Sequence, residues 1–210
     1  MKIILITLMV SLIMTWCWTK INETICTDIK NPTTCTGADQ AKIDDIWWIH
    51  RTAISVLSAL KENDNEKLST LISKDGIRFS PYSYVNTDED IVMTKEDIED
   101  ITTHNNKFVR GRQDGTGDPI NMTFQEYRAR YIYDASFMNE GIPYLNTKVQ
   151  RGNTTNNIYD VYTGNMIVEY YIPGKKKLYE WADRRSLTII MNKEDGKWKV
   201  KWIVHGERTI

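Results

Sequence analysis

The side chains of this sequence that could carry acid–base chemistry are one late histidine and two carboxylates. His205 ends the last strand-like run, Asp134 comes late in an aromatic helical segment, and Asp183 lies in a long β-type run. An imidazole next to a carboxylate can transfer protons at neutral pH, so His205, Asp183 and Asp134 are the candidate catalytic residues. The structural alternative for Asp183 is an internal ion pair with Arg185, which shares the apolar face of its predicted strand.

Aromatic side chains recur at helical and strand periods and could line a pocket for a small molecule. The candidate ligand-binding residues are Tyr82, Tyr127, Tyr131, Trp181, Arg185 and Trp202. Arg185 joins this set because a charged side chain on an apolar face needs a partner or a ligand. Aromatic residues at these periods also form ordinary cores, and that interpretation stays open.

Residue spacing argues against several other chemistries. His50, His104 and His205 do not form a zinc-binding pattern such as His-Glu-x-x-His. The oxygen-rich residues 86–90 fail as an EF-hand loop because Ile91 stands where that loop needs glycine. No serine has a nucleophile-elbow context, and no glycine-rich loop joins a strand to a helix as phosphate binding requires. The sequence therefore predicts no metal site and no cofactor.

The N-terminal segment is typical of an export signal. Lys2 precedes an apolar run at residues 3–10, which is too short to cross about 30 Å of hydrocarbon as a helix. The residues before Cys17 resemble a bacterial lipobox, in which the cysteine is acylated and becomes the new N-terminus. Residues 1–17 are thus a predicted signal peptide with a lipobox, and Cys17 is the predicted lipidation site. Because Trp16 stands where a small residue is usual, an ordinary cleaved signal or an uncleaved anchor is the alternative.

Residues 18–40 are polar and rich in Thr, Asn, Asp and Lys, which is typical of a flexible tether. The tether contains Cys26 and Cys35. In an oxidising compartment an even pair of cysteines favours a disulfide, so we predict a Cys26–Cys35 bridge, with two free thiols as the alternative.

Residues 41–210 have the length of a single domain with its own core. The whole chain contains 27 Lys and Arg against 28 Asp and Glu, so no net positive charge favours nucleic acid as a partner. The expected partners are a bacterial membrane, contacted through the N-terminal lipid on its extracytoplasmic side, and a small molecule or an envelope protein.

Hydrophobic periodicity predicts helices first and strands last. Apolar residues recur at three- and four-residue steps from residue 43 to residue 60, and residues 66–72 continue as a short second helix. Thr94 and Thr123 each stand three residues before an acid, as in a capping box, and predict two further helices. The predicted strands are 77–85, 105–112, 157–162, 166–172, 179–192 and 197–205, with a hairpin turn at 194–197.

In the last predicted strand, Trp198, Val200, Trp202 and Val204 are expected to share one face. The order of elements predicts an α+β fold in which a curved antiparallel sheet wraps around the N-terminal helix.

Several segments carry a resemblance to known proteins. They are residues 76–85, 114–120, 126–127, 133–134, 152–154, 156–158, 195–198 and 203–205. These segments are similar to a group of uncharacterised exported bacterial lipoproteins. The element order over about residues 43 to 208 resembles the cone of the nuclear transport factor 2-like or SnoaL-like superfamily, a cystatin-like superfold. The resemblance implies a fold and a location, and it implies no activity.

The function expected from the sequence is that of an exported, lipid-anchored envelope protein that binds a small ligand or a protein without catalysis. One alternative is a pocket enzyme of the dehydratase, isomerase or cyclase type, with Asp183 or Asp134 working beside His205. The other is a structural component of the envelope. A carboxylate and an imidazole that meet inside a deep cavity would favour the enzyme.

Overall fold

The structure is a computed structural model that describes residues 37–102, 107–149, 154–175 and 183–208. Its contacts divide the chain into residues 1–44 and residues 45–210. The described part of the first unit is the start of a helix, and the site considered below belongs to the second unit. The discussed residues that lie outside the described ranges are Lys2, Trp16, Cys17, Cys26, Cys35, His104 and Trp181.

The helices begin where side chains can satisfy free backbone amides. Thr94 and Thr123 both form the predicted capping boxes, each with the acid three residues later. Asn63 ends the long first helix with a φ of 56°, and Asp64 caps the second by accepting from the amide of Lys67 at 2.9 Å. The described helical segments are α1 (Gly37–Glu62), α2 (Asn65–Leu71), α3 (Lys95–Glu99), a 3-10 turn (Asp100–Thr102), α4 (Phe124–Tyr131), α5 (Phe137–Glu140) and α6 (Ile158–Val161).

The strands within the described ranges form one larger sheet and a separate ribbon. They are β1 (Ile77–Ser80), β2 (Ile91–Met93), β3 (Phe108–Arg112), β4 (Pro119–Met122), β5 (Ile142–Leu145), β6 (Met166–Ile172), β7 (Arg185–Glu194) and β8 (Lys197–Glu207). The six-stranded sheet has the order β2-β1-β8-β7-β6-β5, and β3 pairs with β4. All neighbours in the large sheet are antiparallel except β1 and β8, which run parallel with Ser80 opposite Val204.

The predicted α+β class with a sheet against the first helix is confirmed. Buried α1 residues such as Ala53 and Leu57 belong to the same core cluster as Leu187 and Ile189 of β7. Burial of these apolar faces, at about 25 cal/mol per Å², is the main force that holds the helix on the sheet. Among the described helices, none is both long and apolar enough to cross a membrane.

The strand predicted at residues 157–162 is wrong, because Ile158–Val161 is the short helix α6. The β-branched and aromatic residues of this segment favour a strand, but the hydrogen bonds of two asparagines determine its local structure. The Asn156 side chain accepts from the amide of Ile158 at 3.0 Å, and the Asn157 amide group bonds both backbone groups of Val85. These bonds give the backbone a local alternative to a sheet ladder.

The expected shared face of the last strand is also wrong beyond Val200. A register shift in the β7–β8 pairing places Trp202 opposite Ile190 and Val200 opposite Met191, which leaves one extra residue in β8. Such a bulge reverses the inside–outside alternation. Val200 therefore packs in the main core, whereas Trp202 and Val204 belong to a second apolar cluster.

Candidate functional site

His205 lies near the C-terminal end of β8 and is fully buried. Its Nδ1 is 3.2 Å from the carbonyl oxygen of Pro81, and its Nε2 is 3.1 Å from Oδ1 of Asp134. The parallel register of β1 with β8 explains the first contact, because the chain that leaves β1 after Ser80 passes directly over His205. Tyr131 meets the imidazole edge-on, with ring centroids 6.4 Å apart.

Both ring nitrogens of His205 face hydrogen-bond acceptors. A backbone carbonyl can only accept a hydrogen bond, so the Nδ1–H group donates a hydrogen bond to the carbonyl oxygen of Pro81. Nε2 faces a carboxylate oxygen, and this contact is a hydrogen bond when the imidazole is protonated and donates to Asp134. Both ring nitrogens are therefore engaged by groups of the protein itself.

Asp134 joins His205 to a chain of ion pairs. Arg185 Nε donates to Asp134 Oδ2 at 2.7 Å, and Arg185 Nη2 lies 3.4 Å from Oε2 of Glu207. Glu207 accepts in addition from Arg130 Nη2 at 2.7 Å. Burial opposes the ionisation of Asp134, but the hydrogen bond and charge of His205, with those of Arg185, outweigh it and lower the pKa of Asp134.

The sheet register builds this cluster. In the β7–β8 ladder, Arg185 lies opposite Glu207 and Leu187 lies opposite His205. Directly opposed residues are close enough for their side chains to pair, so the ladder itself brings the guanidinium to the carboxylate. Asp134 reaches the same point from the segment after α4, whose residue Arg130 completes the chain.

A cleft of about 550 Å³ lies beside this cluster. Small-molecule sites usually measure roughly 300–1,000 Å³. The walls come from the segment after β1, the turn between β3 and β4, residues 154–155 and Glu207 at the end of β8. The lining is polar and aromatic, and Glu207 is the group that belongs both to the cleft and to the ion-pair chain.

Two hydrogen-bonded links and one glycine shape the cleft walls. The backbone of Val85 is clamped by Asn157, with bonds of 2.7 and 3.0 Å. Arg112 Nε donates to Oε1 of Glu89 at 3.3 Å and so connects the β3–β4 turn to the segment after β1. Gly111 has a φ of 85°, and a Cβ at this position would lie 3.4 Å from Pro81. The positive φ, which residues with a side chain rarely adopt, is the reason for glycine at this position.

Asp90 is a largely buried carboxyl in the cleft wall. Ser80 Oγ donates to its Oδ2, and Arg78 donates to its backbone carbonyl at 3.3 Å. Burial raises the pKa of Asp90 to about 6, although the Ser80 hydrogen bond and the charge of Arg78 act in the opposite direction. Its charge therefore changes at mildly acidic pH. No group of three or more His, Cys, Asp or Glu that could hold a metal ion occurs among the described residues.

Tyr82 connects the cleft to the core. Its ring meets Tyr131 edge-on at a centroid distance of 5.7 Å. Burial and the hydrogen bond with Tyr131 raise the pKa of Tyr82, so its hydroxyl stays neutral at physiological pH. A neutral phenol at this position can hydrogen-bond a ligand but cannot act as a charged base.

The structure brings together two of the three predicted catalytic residues. His205 and Asp134 are hydrogen-bonded, but neither lines the cleft. Asp183 lies just before β7, where its Oδ2 accepts from the backbone amide of Lys175 at 3.1 Å. The sequence alternative paired Arg185 with Asp183. In the structure Arg185 forms its ion pair with Asp134, with 2.7 Å between Nε and Oδ2.

The predicted ligand-binding aromatics are also divided. Tyr82 lines the cleft, whereas Tyr127 and Tyr131 are buried in the main core. Trp202 lies on the opposite face of the sheet, where its ring packs against Tyr162 at a centroid distance of 4.3 Å. The bulge in β8 is the reason for that placement, because it turns Trp202 away from the main core.

Sequence reasoning missed most of the cleft lining. Tyr84, Glu89, Asp90, Arg112 and Thr155 all contribute to it. The acidic residues within 86–90 are the part of the lining that the sequence could have indicated, but their spacing was compared only with that of a calcium-binding loop. Loop residues that converge from distant parts of the chain have no periodic pattern that would reveal them.

Taken together, the fold and the cleft define a pocket-type α+β domain. No protein-family model and no curated protein sequence matches the chain. Similar solved structures include a designed protein of the nuclear transport factor 2 type, at 13% identity over 79% of this chain and 99% of that chain, with a TM-score of 0.34. Another is a protein from Xanthomonas campestris described as a calcium/calmodulin dependent protein kinase II association domain, at 14% identity over 84% of this chain and 91% of that chain, with a TM-score of 0.31.

Proposed function

We propose that this domain binds a small polar ligand in the cleft and does so without catalysis. The observation that carries the proposal is the separation of the cleft from the His205–Asp134 pair. The cleft has the volume and the mixed polar and aromatic lining of a binding site. The predicted acid–base residues His205 and Asp134 are instead bonded to each other and to Pro81, in a position that does not line the cleft, and the cleft carboxyl of Asp90 is engaged by Ser80.

The enzyme alternative with Asp134 beside His205 needs one of these two side chains to touch the ligand. A general base must come within hydrogen-bond reach of the proton that it removes. Both nitrogens of His205 are occupied, and both oxygens of Asp134 are engaged by His205 and Arg185. Opening this pair would break buried charge-assisted bonds, so its arrangement supports a structural role for it.

We further propose that the protein is exported and anchored to a bacterial membrane through a lipid on Cys17. The support is the sequence of residues 1–17, with one lysine, a short apolar run and a cysteine in a lipobox-like position. A disulfide between Cys26 and Cys35 would fit the oxidising compartment that such a signal leads to. The anchored domain would then present its cleft to solutes outside the cytoplasm.

Ligand-observed NMR on the purified chain tests the cleft, with a library of neutral, acidic and basic polar metabolites. Thr155→Arg places a long side chain in the cleft from an exposed wall position. We expect at least one compound to bind, to be lost in Thr155→Arg, and to be retained in the control Trp48→Ala, whose side chain is 51% exposed and lies outside the cleft. Binding that survives Thr155→Arg, or a bound compound that is turned over during the measurement, would contradict the proposal.

Membrane fractionation and intact mass test the anchor. Cys17→Ala is expected to release the protein from the membrane fraction and to remove the mass of the lipid. Unchanged fractionation together with a protein mass that contains no lipid would rule the anchor out. For the disulfide, labelling of both Cys26 and Cys35 by a thiol reagent in the non-reduced protein would count against the bridge.

A further inference from the structure

A pocket separate from the cleft lies where the end of α1 meets α4. It measures about 490 Å³, within the range of roughly 300–1,000 Å³ that is usual for small-molecule sites. Its walls come from the end of α1, the turn into α2, the 3-10 turn, α4 and the segment that follows α4. We call it the α1–α4 pocket, and it shares no lining residue with the cleft.

The charged side chains that line the α1–α4 pocket are positive. They are Lys61 and Arg128, and none of the described lining residues is an acid. Glu62, Asp64 and Glu126 are close in sequence but do not line the pocket, and each accepts a hydrogen bond from a hydroxyl or amide group of a nearby residue. The cleft has the opposite balance, with four acids and one arginine in its lining. The α1–α4 pocket therefore favours a negative charge on its ligand.

Arg128 is a buried cation whose hydrogen-bond acceptors are all neutral. It is 7% exposed, and its Nη2 donates to the carbonyls of Ala59, at 3.1 Å, and of Leu60. Its Nη1 donates to Oδ1 of Asn65 at 3.1 Å. Carbonyl groups at the end of a helix carry only a fraction of a negative charge. Because buried charges in proteins are usually paired, this guanidinium lacks a full counter-charge among the described residues.

One donor of Arg128 remains available to the pocket. A guanidinium has five N–H groups, and the Nε–H group of Arg128 forms no hydrogen bond with a described residue. Nε is not sealed from solvent either, and Arg128 belongs to the pocket lining. An acceptor inside the pocket can therefore bind to Nε–H.

Further donors line the same pocket. Lys61 is exposed and forms no ion pair with a described residue. The Tyr133 oxygen accepts from the amide of Met138 at 3.3 Å, and burial raises the pKa of Tyr133, so its hydroxyl keeps a proton to donate. The Asn65 oxygen accepts from Arg128, which leaves its NH2 group as a donor. These groups suit a ligand whose polar end only accepts, as a carboxylate or a phosphate does.

Part of the pocket wall is apolar. Leu60, Ile101 and Phe124 line the pocket and belong to the main core. An inorganic ion would leave this surface in contact with water, whereas a hydrocarbon or aromatic body would cover it. The lining therefore fits a molecule that has an anionic end and an apolar body.

We propose that the α1–α4 pocket is a second binding site, which takes a small organic anion with an apolar body. The anionic group accepts from Arg128 and Lys61, and the apolar body lies against Phe124. Binding requires no covalent step and no metal ion. The site does not depend on the proposed function of the cleft, since the two share no lining residue.

Isothermal titration calorimetry on the purified chain tests the site with probes that differ in charge or in body. Benzoate and phenyl phosphate are aromatic anions, benzamide is the neutral counterpart of benzoate, and acetate is an anion without an aromatic body. We expect benzoate or phenyl phosphate to bind, and benzamide and acetate to bind roughly tenfold more weakly or not at all. The tighter of the two aromatic anions identifies the acidic group.

Two variants place the binding in this pocket while they leave Arg128 and its helix contacts intact. Gln125→Glu adds a negative charge to the lining from an exposed position of α4, and Lys61→Gln removes a positive one. We expect Gln125→Glu to weaken the aromatic anion roughly tenfold, and Lys61→Gln to weaken it severalfold. The matched control is Lys148→Gln, whose side chain is 53% exposed and lies outside the pocket, and it should leave binding unchanged.

Each outcome decides the proposal. Failure of both aromatic anions to bind, equal binding of benzoate and benzamide, or binding that Gln125→Glu leaves unchanged overturns it. Loss of the anion in Thr155→Arg but not in Gln125→Glu would place the anion in the cleft, which also overturns the second site. Anion binding that is lost in Gln125→Glu and kept in Thr155→Arg supports the second site, whatever the cleft itself binds.

Discussion

Replacement of Asp134 by asparagine tests whether the buried ion pair is as tight as its geometry indicates. The carboxylate accepts from His205 on one oxygen and from Arg185 on the other. Asparagine has nearly the same shape but only one accepting oxygen, and its NH2 group would face a donor. The substitution thus leaves one charged partner without an acceptor and creates no cavity.

The expected loss of stability follows from the two bonds. A hydrogen bond to a charged group contributes about 1.5–3 kcal/mol net. The bond from His205 is counted in full because that ring is 0% exposed, whereas the Arg185 side chain is 27% exposed and can be partly rehydrated. We expect Asp134→Asn to lower the free energy of unfolding by about 3 kcal/mol. For a domain of this size that is about 6–12 °C in Tm.

The loss should depend on pH in a defined direction. The folded state lowers the pKa of Asp134, so the contribution of its carboxylate is present above the unfolded value of about 3.9 and disappears as the pH falls through the folded value. The difference between the wild type and Asp134→Asn is therefore largest near pH 7. It should shrink below about pH 4.

Urea unfolding followed by tryptophan fluorescence and circular dichroism, at pH 7 and at pH 3, measures both quantities. Asp160→Asn is the matched control, because the Asp160 side chain is 72% exposed and lies 3.7 Å from Lys148. That variant should stay within about 0.5 kcal/mol of the wild type. A loss below about 1 kcal/mol for Asp134→Asn, or a loss that is as large at pH 3 as at pH 7, would refute the buried ion pair.

Three further changes are expected to affect stability in measurable ways. Gly206→Ala should lower Tm in a thermal melt, since its Cβ would lie 2.2 Å from Ser186 Oγ, and overpacking of this kind costs about 1–3 kcal/mol. Arg128→Met should destabilise by about 2 kcal/mol in urea, because the guanidinium bonds the carbonyls of Ala59, at 3.1 Å, and of Leu60 near the end of α1. Asp90→Asn should gain stability relative to the wild type as the pH rises from 4 through about 6, because burial raises the pKa of Asp90 to about 6 and its favourable protonated form is lost over that range. Equal pH profiles for Asp90→Asn and the wild type would show that the Asp90 carboxyl is not held in a buried state.

Elements with local signals could be predicted from the sequence. The capping boxes at Thr94 and Thr123 gave correct helix starts, because cap and acid lie three residues apart on the same turn. The turn at Asp195 and Gly196 closes the β7–β8 hairpin as expected, with φ values of 49° and 76°. Each of these features depends on a few neighbouring residues, so the sequence contains all that is needed.

Features that depend on distant partners were not predictable in the same way. The parallel pairing of β1 with β8 joins Phe79 to Ile203, and no local pattern near either residue indicates it. The bulge in β8 depends on how β7 and β8 meet, and it moved Trp202 to the other face of the sheet. The cleft combines loops and strand ends from four parts of the chain, which is why its residues escaped a search based on periodicity.

His205 and Asp134 do not line the cleft, but hydrogen bonds and ion pairs connect them to its walls. His205 donates to the carbonyl of Pro81, the residue before Tyr82 in one wall. The other ring nitrogen of His205 contacts Asp134, and Asp134 accepts in turn from Arg185. Arg185 lies 3.4 Å from Glu207, which belongs to the facing wall of the cleft. A single buried imidazole thus connects to both walls at once. Because each bond in this chain is charge-assisted or shielded from water, the walls are held apart without a ligand, and a preformed cleft binds with less loss of conformational freedom than one that must first be ordered.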